Sequence, residues 1–126
     1  MGLALEAKDY PAAITAFEKA LAADAKDYAA LFHLGLAHSL LNNNDKAIDH
    51  YKRALELKPD LYEAQMNLAA LYVYSEQAAE AIPLLKSAIE KKPQEFRPNY
   101  FLAEAYLRSS QLDDAERQFK VAQQID

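Results

Sequence analysis

An all-α stack of antiparallel helix pairs is the architecture this sequence predicts, and three observations predict it. Only two of the 126 residues are glycine, alanine is plentiful, and the chain matches itself when shifted by 34 residues. Low glycine and high alanine favour helix almost everywhere, and no long alternating run rich in Val and Thr offers a strand instead. The shift brings Ala13, Ala47, Ala81 and Ala115 into one column and Ala20, Ala54, Ala88 and Ala122 into another. Between them lie Phe17, Tyr51, Leu85 and Phe119; further on, Leu34, Leu68 and Leu102 align and are followed by Gly35, Ala69 and Ala103. His38, Tyr72 and Tyr106 share one more column. Small side chains let two helix backbones approach closely, and a large residue one turn away fills the space beside that contact.

Taken in order, the pattern predicts helices over 11–23, 27–41, 45–57, 61–75, 78–91, 95–109 and 112–125, with a short helical stub over residues 2–7. Tyr28, Tyr62 and Phe96 open successive repeats, and Pro59 and Pro93 stop the helices before them, because proline lacks an N–H and has a fixed φ. Ala25 stands where that proline is expected. Asn42, Asn43 and Asn44 form a brief turn suited to the left-handed conformation that ends a helix, so paired helices should run antiparallel. Pro83 and Pro98 fall early in their helices, where a mild bend rather than a break is expected. The first repeat lacks most of its first helix, so the N-terminal end reads as cut. At the other end the columns Ile14, Ile48, Ile82 and Leu21, Leu55, Ile89 turn polar at Glu116 and Gln123, so the last helix reads as a solvent-facing cap.

Composition removes several function classes. A formal net charge of −5 opposes binding to nucleic acid or an anionic membrane, which favour clustered Lys and Arg. With no cysteine there is no disulfide, thiolate nucleophile or cysteine zinc site. No stretch of roughly 18 apolar residues occurs, and Met1 to Tyr10 lacks the apolar core of a secretion signal, which makes the cytoplasm the default location. His33 and His38 are about 140° apart around a helix and cannot chelate as an i, i+4 pair would. His38 reads as a packing residue with a polar tip and His50 as a surface residue. Asp113 with Asp114, and Glu76 with Glu80, sit at loops and helix starts, where carboxylates complement the helix dipole. Two glycines cannot build a phosphate-cradling loop. The reading is a non-enzymatic chain with no catalytic residue, cofactor or metal.

The period, the small and large columns and the prolines resemble the tetratricopeptide repeat family over essentially the whole chain. The second unit carries the pattern in Leu34, Gly35, Ala47, Tyr51, Ala54 and Pro59, and the third in Leu68, Ala69, Tyr72, Ala81, Leu85, Ala88 and Pro93. The resemblance implies one domain over 1–126, a right-handed superhelical solenoid of about three and a half units: a partial repeat 1–27, then 28–61, 62–95 and 96–126. It also implies a concave groove lined by first helices, which in this numbering contains Phe32, His33, Leu36, Leu40, Met66, Asn67, Val73, Tyr74, Arg97, Tyr100, Phe101, Glu104, Leu107 and Arg108. So apolar a surface points to a protein partner, a helix or extended peptide with apolar anchors, and Arg97 and Arg108 would favour acidic groups. The carboxylate clamp of related co-chaperones would fall on Phe32, Leu36, Asn67, Arg97 and Phe101, where only Asn67 and Arg97 fit. The asparagine ladder of sugar-transferring relatives is broken by His33 and Phe101. A second expectation is self-association through the N-terminal end, where a missing helix would leave sides of Ile14 and Phe17 uncovered.

Overall fold

The computed structural model describes residues 9–125. Within them lie seven helices and no strand: α1 (Tyr10–Ala23), α2 (Tyr28–Leu40), α3 (Asn44–Leu57), α4 (Tyr62–Tyr74), α5 (Ala78–Lys91), α6 (Phe96–Arg108) and α7 (Leu112–Gln123). Each begins and ends within two residues of the span its sequence pattern predicts. The stub expected over residues 2–7 lies outside the described residues. By internal packing the chain divides into two compact units, one ending at Ala64 and one beginning at Gln65, so that the division falls within α4.

In the first unit α1 packs on α2 and α2 on α3. Asp9 and Asp27 cap α1 and α2, their Oδ1 atoms accepting from the N–H groups of Ala12 and Ala30 at 3.2 and 3.0 Å. Ala13, Phe17 and Leu34 form a core cluster against which Ile14 and Leu21 are partly buried. Gly35 of α2 packs closely against Tyr51 of α3: a Cβ on Gly35 would lie 2.8 Å from two carbons of the Tyr51 ring. No other residue fits there without moving the ring. The small and large columns of the sequence thus have their packing counterpart.

In the second unit α5 packs on α6 and α6 on α7. Ala69, Ala81, Leu85, Ala88, Leu102, Ala103, Ala105 and Ala115 are buried. A polar knot runs through this core. Asn99, in the second turn of α6, donates through Nδ2 to the carbonyls of Glu95 at 2.8 Å and Pro93 at 3.2 Å, and its Oδ1 accepts from Gln118 Nε2 of α7 at 2.7 Å. The α5–α6 turn is fastened to both helices through one side chain. Helix α5 continues through Pro83 to Lys91, and Pro98 is buried in the first turn of α6.

Two kinds of turn recur with the sequence period. After α2, α4 and α6 the chain takes a positive φ at Asn42 (63°), Glu76 (64°) and Ser110 (63°). The next N–H then reaches back to the carbonyl of His38, Tyr72 or Tyr106 at 2.8, 2.9 and 2.8 Å, which satisfies a carbonyl at the helix end. After α1, α3 and α5 the chain goes extended at Asp24, Lys58 and Lys92 and closes a tight turn, with Asp27, Leu61 and Glu95 donating to the carbonyls of those three residues. Pro59 and Pro93 occupy the second position of that turn, where a φ near −65° is required. Ala25 lacks that preset φ, and there the side chain of Asp24 braces the turn by accepting from Lys26 N–H at 3.0 Å.

Candidate functional site

The surface of interest is presented by first helices, and each unit carries its own part. In the first unit α2 presents Phe32, His33 and Leu36, all half-buried, and an exposed Leu40. Helical spacing puts Phe32, His33 and Leu36 on adjoining strips of one face. The rings are held from below: His33 stacks on buried Phe17 at 4.9 Å between centroids, Phe32 meets His33 edge-on at 5.3 Å, and Phe32 lies 5.8 Å from the ring of Tyr51. His33 Nδ1 donates to the Ala29 carbonyl at 2.7 Å, so its ring orientation is set.

The second unit carries the larger aromatic surface. Phe96 stacks on Tyr100 at 5.6 Å, Tyr100 meets Phe101 at 6.1 Å, and Phe101 meets Tyr74 of α4 edge-on at 6.0 Å, a continuous string of four rings. Tyr100 also contacts Phe119 of α7 at 5.9 Å, which backs the string from behind. Phe96, Tyr100, Glu104 and Arg108 recur every four residues along one face of α6. Arg108 closes the row: its guanidinium lies 5.0 Å from the Tyr74 ring centre and its Nε donates to Glu104 Oε2 at 3.2 Å. Tyr74 is 54% and Phe96 45% exposed, so part of each ring meets solvent. Partial burial, then the carboxylate of Glu104 and the neighbouring Tyr100, push the Tyr74 hydroxyl above the usual tyrosine range, with Arg108 pulling the other way. Beside Arg108 a cleft of about 720 Å³ opens between the α4–α5 turn and the end of α6, lined by Val73, Glu76, Gln77, Ala78, Ala79, Glu80 and Ser109.

Several expected site residues sit elsewhere. Met66 and Val73 are each 0% exposed and belong to the core, because their positions on α4 fall on its packed side. Asn67, Tyr100, Phe101 and Glu104 are half-buried, and Arg97, Leu107 and Arg108 are exposed. Phe17 is 1% exposed rather than open at the N-terminal end, which removes the larger of the two apolar side chains on which expected self-association rested. Ile14 is half-buried. Glu116 and Gln123 are exposed. The sequence reading missed Phe96 as part of the aromatic row, although its four-residue spacing from Tyr100 was there to be read. It also missed that His50, taken as a surface residue, stacks on His38 at 5.3 Å. Among the described residues no group of three His, Asp or Glu could hold a metal ion, and no helix is long and apolar enough to cross a membrane.

Two tetratricopeptide repeat family models match, over residues 3–62 and 72–126. The chain belongs to the tetratricopeptide repeat family. As such it is a protein-interaction module, in a family that is in general non-enzymatic. Curated protein sequences gave no match. Among solved structures, YrrB, described as a TPR protein with an unusual peptide-binding site, is similar with a TM-score of 0.93 and 22% identity over 99% of this chain and 64% of its own. MamA from Desulfovibrio magneticus RS-1 is similar with a TM-score of 0.91 and 21% identity, covering 96% of this chain and 68% of that one. The MamA of MSR-1 reaches 28% identity with a TM-score of 0.83, over 94% and 68% of the two chains. This chain spans about two thirds of the length of these relatives.

Proposed function

We propose that the chain binds a peptide or helix of a partner protein on the aromatic face of its second unit, with the α2 face of the first unit as a separate apolar contact. One observation carries the reading: the Phe96, Tyr100, Phe101 and Tyr74 rings form a continuous row whose two ends are open to solvent. A folded chain leaves large aromatic faces in water at a cost, and aromatic side chains combine contact area with few rotatable bonds, which suits a binding surface. Arg108, fixed over Tyr74 by Glu104, and Arg97, one turn before Phe101, set positive charge along the row and favour a segment with an acidic group beside its apolar anchors. The peptide-binding site described for YrrB is compatible, but at 22% identity that likeness carries the fold alone.

A displayed random-peptide library tests this. The wild-type chain should enrich sequences with apolar or aromatic anchors, and Tyr74→Glu with Leu107→Glu, both at exposed positions, should abolish that enrichment while circular dichroism stays helical. Enrichment of the same peptides by both proteins would place binding elsewhere. Arg97→Glu should weaken binding of the enriched peptides several-fold if they carry acidic residues, and an unchanged affinity would remove the electrostatic part of the reading.

A further inference from the structure

The histidine pair of the first unit is unused by the binding face and is built unlike anything at the same columns in the second. His38, on α2, is 6% exposed, and its Nδ1 is buried with no hydrogen-bond partner. Its ring lies flat against that of His50 on α3, with centroids 5.3 Å apart and planes 15° from parallel. His50 Nδ1 donates to the Lys46 carbonyl at 2.8 Å, which sets the orientation of its ring. The charged groups that face His38 are Lys46 and His50 from α3 and Glu18 from α1. Lys46 and His50 disfavour an imidazolium at His38, and only Glu18 favours one. Two neutral imidazoles stack comfortably; a charge on the buried His38 ring, whose Nδ1 has no hydrogen-bond partner, is not tolerated there. In the second unit the His38 column holds Tyr72 and Tyr106 and the His50 column holds Leu84 and Gln118, so no histidine pair recurs there.

We infer that the His38–His50 stack is an acid-released latch, which holds α2 on α3 while both rings are neutral and loosens that hairpin on mild acidification while the second unit stays folded. The direction follows from the environment. Burial first, then His50 and Lys46, hold His38 below the usual histidine range, with Glu18 opposing. A base whose pKa is lowered by folding contributes its full stability above the pKa of a free histidine, about 6.5. That stability is lost as the pH falls from there toward the folded value, because the unfolded chain takes up protons that the folded chain refuses.

Hydrogen exchange of the full chain, followed by mass spectrometry at pH 7.5 and 5.5 with rates corrected for intrinsic chemistry, tests the latch. Wild type should lose protection in α2 and α3 at pH 5.5 and keep it in α6 and α7. His38→Tyr, which installs the residue of the matching columns, should hold α2 and α3 protected at both values. Equal loss in the variant, or no loss in wild type, overturns the inference. His33 is present in both proteins and drops out of the difference. Should His38→Tyr fail to fold, His50→Leu carries the test: a smaller loss than wild type supports the latch and an equal one overturns it. An NMR titration of the His38 ring adds a direct reading, since a pKa at or above the ordinary histidine value is incompatible with the device.

Discussion

In the first unit Gly35 packs closely against the ring of Tyr51; in the second the same two columns hold Ala69 with Leu85, and then Ala103 with Phe119. The column that carries buried Leu31 in the first unit carries Asn99 in the second, knotted to Pro93, Glu95 and Gln118. One 34-residue plan is therefore filled in two ways. The first unit relies on an unusually tight apolar contact and a histidine stack, the second on a buried polar knot and an aromatic face. The plan fixes how much volume each pair of columns holds together, and leaves open how the two residues share it.

Exchanging the fillings breaks this comparison most severely at Gly35. Gly35→Ala forces a methyl into the Tyr51 ring, and a loss of about 3 kcal/mol in denaturant unfolding is expected, the upper end for overpacking, because the blocking atoms belong to a buried ring rather than to a flexible side chain. Gly35→Ala with Tyr51→Leu, which installs the pair found at Ala69 and Leu85, should be more stable than Gly35→Ala alone. If the double variant is the weaker, the columns do not trade volume. Next comes Asn99→Ala, expected to cost about 2 kcal/mol by leaving the Gln118 amide without its buried acceptor and two carbonyls without their donor. A neutral result in the same unfolding measurement would show the knot to be dispensable. The smallest effect is a gain: Ala25→Pro should raise stability by about 0.5–1 kcal/mol by giving the first unit the preset φ that Pro59 and Pro93 already give. A loss there would mean that the Asp24 brace and a proline are incompatible.

Much of this was legible in the sequence. Columns of alanine and leucine 34 apart located all seven described helices, because burial of a recurring face is what produces the recurrence. The turns were less legible. Asn42 announces a left-handed residue, but Glu76 and Ser110 adopt the same φ with no preference for it, since the flanking helices impose the bend. The site was read in part. Tyr74, Tyr100, Phe101, Leu107 and Arg108 lie on surface or at its edge, whereas Met66 and Val73 are apolar for the ordinary reason that they are buried. An apolar residue on a first helix looks the same whether it faces a partner or the core, and only the packed structure separates the two. The His38–His50 stack joins residues of different helices, and nothing in the spacing of either helix alone reveals it.

The three left-handed residues carry one more implication, for how such a chain can change length. Tyr28 to Asn42, Tyr62 to Glu76 and Phe96 to Ser110 span the same number of residues, and the residue that bends is chosen by its count from the helix start and not by its chemistry. Losing a single residue from α2, α4 or α6 would hand the bend to a neighbour and turn the side chains beyond the deletion by about 100° around the helix axis, out of their packed columns. Substitution at these turns is therefore a small perturbation, while a one-residue deletion before them takes the rest of that helix off its packed face. Such a chain can be shortened or extended without rebuilding its turns only in whole steps of its own period.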